Sequence, residues 1–217
     1  MESFYCNEES DIIEIGIDES GRGPLFGRVY SAGVVLPKTD FDYSILKDSK
    51  KFTSKKKIAE VAEYIKNKSL YWSVNYNNEK VIDNINIRRA THSCMHESAR
   101  QIIDRNKLDG SNILLLIDGN DFTPLIHNEH TLSAITIESG DNSYGSIAAA
   151  SILAKVERDK YIEELCEKHP ELNEKYGIAS NKGYGSKKHT EGIKQYGITE
   201  WHRKTYGICR THAVVPI

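Results

Sequence analysis

Hydrophobic and polar positions divide the chain into segments of two kinds. Continuous apolar runs bounded by glycine, proline or polar clusters read as strands, and runs of helical period read as helices. Residues 12–18 (IIEIGID) form the first buried-type strand, and 28–36 (RVYSAGVVL) the second, ended by Pro37. The short glycine-rich link between them predicts an antiparallel pair. Residues 70–76 (LYWSVNY) are aromatic and β-rich and predict a third strand. Residues 112–118 (NILLLID) are apolar throughout, as a strand covered on both faces would be. Residues 132–138 make a fifth strand. Helices are expected over 54–67 with Thr53 as the N-cap, over 77–106 as a short helix followed by a long one, over 146–168, and over 187–196 with Gly197 as the stop. Residues 46–51 and 179–184 read as loops, and the segment after Thr205 has no clear period. Three strands followed by helices alternating with two more strands predict a mixed α/β sheet, an antiparallel trio extended by parallel strands through helical crossovers.

Two of the strands end in acid. Asp18 and Glu19 close the first, and Gly21-Arg22-Gly23 follows at once. Asp118 closes the fourth, and Asp141 stands just before the alanine-rich helix. Parallel first and fourth strands would bring Asp18 and Asp118 to one sheet edge, where ligands of open α/β sheets bind. Carboxylates so gathered repel one another unless a cation compensates, and hard oxygen donors select Mg²⁺ or Mn²⁺. Two such ions about 4 Å apart suit displacement at a phosphodiester. Taken singly, each acid reads equally as a cap or a surface charge. The Gly21–Gly23 turn and the loop Gly183-Tyr184-Gly185 read either as plain turns or as substrate-contacting elements, one through its amides and the other through an aromatic flanked by lysines.

Composition narrows the field. The 217 residues carry a net charge of −2 and 39% hydrophobic side chains, which suits one ordinary globular unit and argues against a generally basic nucleic-acid binder. Charge is uneven, however. From Ala179 onward seven basic residues face two acids, so a polyanion-facing tail and a solvated lysine-rich surface are both open readings. No apolar run has membrane-spanning length, and the first residues lack a secretory pattern. Four widely spaced cysteines without a CxxC pair read as reduced thiols, so a cytoplasmic protein is expected.

Together these residues resemble the type 2 ribonuclease H (ribonuclease HII) family. The likeness rests on 18–24 (DESGRGP), 46–51 (LKDSKK), Asn86-Ile87 with Ala90 and Met95, 117–120 (IDGN), Gly140-Asp141, 146–156 (SIAAASILAKV), 181–185 (NKGYG) and His202-Arg203, in this order along most of the chain. The resemblance implies a ribonuclease H-like catalytic domain over 1–170, a mixed five-stranded sheet flanked by helices. A small helical C-terminal segment over 171–217 would pack on it and bind substrate. It implies a two-metal-ion endoribonuclease that cleaves the RNA strand of RNA–DNA hybrids and incises 5′ of single ribonucleotides in duplex DNA. Asp18, Glu19, Asp118 and Asp141 would be the catalytic metal ligands. Gly21, Arg22, Gly23 and Tyr184 would read the 2′-hydroxyl at the RNA–DNA junction, the one local feature that separates the two nucleic acids. Lys50, Ser146, Lys182, Lys187 and Arg203 would add substrate contacts.

The pattern departs from the family at Ser20 (usually alanine), at Arg28 (commonly proline) and over 142–145 (NSYG), where a lysine is common. The last residues, RTHAVVPI, hold no clear sliding-clamp-binding peptide, and a monomer is expected. A junction-type nuclease of the same fold and a hybrid-binding module without catalysis remain the alternatives.

Overall fold

A computed structural model of the chain describes residues 1–7, 9–47 and 49–216, and the backbone but not the side chain of Lys50. In chain order the elements are β1 (Ile13–Ser20), β2 (Val29–Val35), α1 (Lys55–Lys68), β3 (Tyr71–Asn77), α2 (Glu79–Ile85), α3 (Ile87–Asn106), β4 (Ile113–Asp118), β5 (Ile126–His127), β6 (His130–Thr131), β7 (Ser133–Ile137), α4 (Gly140–Ser143), α5 (Gly145–Lys168), α6 (Glu171–Tyr176), α7 (Ile178–Asn181) and α8 (Lys187–Tyr196). Among the described residues, no helix is long and apolar enough to cross a membrane.

The main sheet has five strands in the order β3-β2-β1-β4-β7. β1–β2 and β2–β3 pair antiparallel, while β1–β4 and β4–β7 pair parallel. This is the predicted mixed α/β sheet of ribonuclease H-like type. One face of β1 and β4 presents Ile15, Ile17, Leu115 and Ile117 to a core with Met95, Ala99, Ile102 and Ile103 of α3. The other face of the sheet is covered by α1 and α5. There Ala32, Val34 and Leu36 pack with Val61, Ala62 and Ile65 and with the run 148–150. Small side chains let α5 lie very close. A Cβ placed on Gly16 of β1 would stand 2.2 Å from the Ser146 carbonyl carbon.

Several boundaries differ from the sequence expectation. β1 does not end at its acids but runs to Ser20, because Asp18, Glu19 and Ser20 pair with Ala32, Ser31 and Tyr30 of β2. The parallel ladder to β4 stops at Ile17–Ile117, so the sheet opens on that side beyond it. Ser54, not Thr53, caps α1, its hydroxyl accepting from the Lys57 amide at 3.3 Å. The expected short-then-long helix pair breaks at Asn86. Its φ of 66° ends α2, and its side chain caps α3 by accepting from Arg89 N at 3.1 Å. Part of the expected loop 179–184 is helical, in α7.

Beyond α5, helices α6 to α8 gather around Leu172, Tyr176, Ile178 and Ile193. Phe26 from the β1–β2 connection and Ile162 of α5 belong to the same cluster. The C-terminal helices are thereby fastened to the β1–β2 turn.

Candidate active site

The register that pairs Ile17 with Ile117 sets Asp18 and Asp118 side by side on the α5 face of the sheet. Asp18, Glu19 and Asp118 line one cavity of about 240 Å³ together with Ser20, the Gly21-Arg22-Gly23 turn, Ser49, Ser151, Lys155 and Tyr184. Asp18 is 5% exposed. Burial, then the neighbouring charges of Glu19 and Asp118, push its carboxyl well above the usual carboxylate range. Ser151 of α5 donates to it, and Ser49 shares a hydrogen bond of 3.1 Å with Ser151. Burial raises Glu19 as well, against the pull of Arg22, whose Nη1 lies 3.4 Å from Glu19 Oε1.

Asp141 is not on the cavity wall, where the sequence placed it. It lies within the short helix α4, buried behind Asp118, with its amide donating to Asp118 Oδ1 at 3.3 Å. Its own Oδ1 accepts from Asn142 Nδ2 at 3.0 Å, and Asn142 Oδ1 in turn accepts from Lys51 Nζ at 2.5 Å. A lysine from a different element thus reaches this acid through Asn142. The donor chemistry fits a divalent cation: hard carboxylate oxygens gathered on one side of a sheet, with the proton affinity of Asp18 and Glu19 raised. Among the described residues, no three or more acid, histidine or cysteine side chains are already drawn together tightly enough to hold an ion.

The Gly21–Gly23 turn is held from behind by two buried arginines. Arg203 donates from Nε to Gly27 O at 2.9 Å, from Nη1 to Arg22 O at 2.8 Å and from Nη2 to Gly21 O at 2.5 Å. Arg158 of α5 donates to Arg28 O at 3.3 Å, to Phe26 O at 3.4 Å and to Lys182 O at 2.9 Å. Gly21 has φ +95°, and a Cβ there would stand 2.2 Å from Arg158 Nε. Only glycine allows both the backbone and the approach. The other glycine loop meets the turn through its ring. A Cβ on Gly23 would lie 3.5 Å from Tyr184 Cε1, and Tyr184 is 53% exposed beside the acids.

The other expected contacts have different surroundings. Arg203 was expected at a phosphate. It is fully buried, and its guanidinium is spent on backbone carbonyls. Ser146 is also buried, on the side of α5 that meets Gly16, and lines a different cavity with Glu14 and Tyr71. Lys182 pairs with Glu163 at 2.7 Å, whereas Lys187 is 89% exposed with Glu191 only loosely near at 3.9 Å. The Lys50 side chain lies outside the described residues. Arg28 stacks between Tyr76 and Tyr161, 4.0 and 4.2 Å from the ring centres. Sequence reading singled out neither Ser151 nor Arg158. They are seven residues apart on one face of α5, one under Asp18 and the other under Gly21, and that spacing was the available signal.

A mixed five-stranded sheet with acids on adjacent parallel strands, flanked by helices on both faces, defines a ribonuclease H-like hydrolase. A family profile described as Ribonuclease HII matches residues 15–212. The ribonuclease HII of Bacteroides thetaiotaomicron is 43% identical over 204 residues, 94% of this chain and 93% of that protein. That of Parabacteroides distasonis is 42% identical over 198 residues, 91% of this chain and 92% of that protein. Among solved structures, the RNase HII of Archaeoglobus fulgidus, determined in complex with PCNA, superimposes with a TM-score of 0.67 at 27% identity, covering 90% of this chain and 96% of that one. The ribonuclease H2 of Pyrococcus horikoshii shares the fold at 24% identity and a TM-score of 0.64, covering 92% of this chain and 96% of that one. The chain belongs to the ribonuclease HII family, whose members are metal-dependent type 2 ribonucleases H.

Proposed function

We propose that this protein cleaves the RNA strand of RNA–DNA hybrids and also incises on the 5′ side of a single ribonucleotide in duplex DNA. The observation that carries the reading is the shared cavity: Asp18, Glu19 and Asp118 face the arginine-braced Gly21–Gly23 turn and the Tyr184 ring across one space. Asp18, Glu19, Asp118 and Asp141 would hold two divalent cations, Mg²⁺ or Mn²⁺. When bound, the ions would supply an activated water and stabilisation of the leaving 3′-oxygen. The turn, with its carbonyls engaged by Arg203, keeps its backbone ready for the 2′-hydroxyl, and Tyr184 packs on the deoxyribose that follows. Exposed Lys187 suits a phosphate contact.

On this reading residues 1–170 are the catalytic domain and 171–217 the substrate-binding segment packed on it. The protein works on nucleic acid, in the cytoplasm, as a monomer.

The test is a cleavage assay on a duplex with one ribonucleotide, with Mg²⁺, with Mn²⁺ and with chelator. We expect metal-dependent incision that Asp118→Asn abolishes. Tyr184→Ala is expected to lose more on the lone ribonucleotide than on a long hybrid. Cleavage of an all-DNA junction with none of the ribonucleotide substrates, or equal losses for Tyr184→Ala on both, would overturn the reading.

A further inference from the structure

Outside the acid cluster, two fully buried histidines lie beneath Tyr184: His189 on α8 and His202 in the segment after it. Their Nε2 atoms are 3.1 Å apart. Two facing ring nitrogens bond only when one carries a hydrogen and the other does not. The flanking partners decide which. The Thr199 amide lies 2.9 Å from His202 Nδ1. A backbone N–H can only donate, so that nitrogen accepts and the hydrogen of neutral His202 is on Nε2. It donates to His189 Nε2, which must be bare. The hydrogen of His189 is then on Nδ1, 2.9 Å from the Tyr184 carbonyl, which can only accept. The direction worked out from one end agrees with the chemistry of the other.

We propose that His202 and His189 are positioning residues for Tyr184, a one-way hydrogen-bond relay from Thr199 that fixes the Tyr184 carbonyl and with it the ring over the Gly21–Gly23 turn. The proposal rests on reading Tyr184 as the aromatic that packs on substrate. The Tyr184 carbonyl also accepts from Ser186 N at 2.7 Å, and Asn181 O accepts from the Tyr184 amide at 3.0 Å, so the relay completes a fully held loop. The relay exists only while both rings are neutral, since a proton on either would set two N–H groups head to head. The packing favours neutrality. Phe26 from the β1–β2 turn lies 5.0 Å from His202, and Tyr176, the titratable neighbour from α6, lies 5.1 Å from His202 and 6.2 Å from His189. Burial and the neighbouring imidazole hold His202 down to about 3, and burial lowers His189 too.

The direct test is the side-chain ¹⁵N–¹H correlation spectrum of the full chain at neutral pH. It should show His202 as the Nε2–H tautomer and His189 as the Nδ1–H tautomer. The opposite tautomers, or either ring titrating near an ordinary histidine value, would overturn the relay without any reference to activity. The functional test uses His189→Phe, which keeps a ring but removes the donor, and His189→Asn, which keeps an N–H where Nδ1 stood. His189→Phe should lower kcat/KM on the lone-ribonucleotide duplex by about fivefold, the scale of one lost hydrogen bond. The loss on a long hybrid should be smaller, and His189→Asn should restore most of it. Impairment by Tyr184→Ala together with full activity of His189→Phe would remove the relay alone. A neutral Tyr184→Ala would instead remove the reading on which the relay depends, while the spectrum still decides whether the relay exists.

Discussion

Asp18 carries opposing demands at the scale of a single residue. Its burial and its neighbours Glu19 and Asp118 raise its proton affinity, so its charged form costs the metal-free fold stability. Asp18→Asn should therefore abolish cleavage and raise the melting temperature measured in chelator, by about 2–4 °C for each kcal/mol of repulsion relieved. An unchanged or lower melting temperature would show that the carboxylate is compensated within the protein. Arg203 is the reverse case, buried yet bonded to three backbone carbonyls. Arg203→Leu takes the guanidinium from the Gly21 and Gly27 carbonyls and leaves Arg22 O with the Tyr206 hydroxyl alone, and we expect urea unfolding to register a loss of about 3 kcal/mol. A loss below about 1 kcal/mol would mean that the turn holds itself.

At the scale of elements, β1 and α5 make the site. The strand brings Asp18 beside Asp118 through its parallel register with β4, and the helix supplies Ser151 and Arg158 from one face. Their close contact depends on Gly16, where a side chain would strike the backbone of α5 at Ser146. Neither backbone can retreat without disturbing a core on each face of the sheet. Gly16→Ala should destabilise the protein by about 3 kcal/mol, the upper end of overpacking effects, and should disturb the Asp18–Ser151 contact as well. Denaturant unfolding measures the first consequence and metal-binding calorimetry the second. A stable variant with parental metal affinity would contradict this account.

At the scale of the whole molecule, the C-terminal helices are tied to the catalytic sheet through Phe26, Arg203 and the histidine pair. That tie is sensitive to acid. His202 is held down to about 3, below its ordinary unfolded value of about 6.5, so the unfolded chain takes up the proton first. The stabilisation is complete above pH of about 6.5 and is lost as pH falls toward about 3. Between pH 7 and 4.5 this one group should cost about 2–3 kcal/mol at roughly 1.4 kcal/mol per pH unit. Buried carboxyls with raised affinity, such as Glu79, act in the opposite sense. The measurement is therefore the difference in pH slope between the parent and His202→Phe, which should be flatter. Equal slopes would place the acid sensitivity elsewhere.

Much of this was legible in the chain itself. Apolar continuity marked the central strands β1, β2 and β4, since a strand buried on both faces needs apolar residues on both, and aromatic, β-rich composition marked the edge strand β3. Acids placed at the ends of two such runs, beside a glycine turn, were visible for the same reason: a strand interior disfavours aspartate. The motif order pointed to the family that the comparisons then established. Other features depended on contacts between segments far apart in sequence. Arg203 reads as a surface cation until the fold buries it against Gly21 and Gly27, 182 and 176 residues away. Asp141 reads as one more acid of the cluster, and only the packing of α4 puts it behind Asp118. The direction of the histidine relay follows from which partners flank each ring, as no local pattern can show. Local sequence determined where the strands, turns and acids lie, because hydrophobic period and backbone conformation act over a few residues. The tertiary structure alone decided which polar groups face one another, because burial turns a side chain's partners, more than its type, into its chemistry.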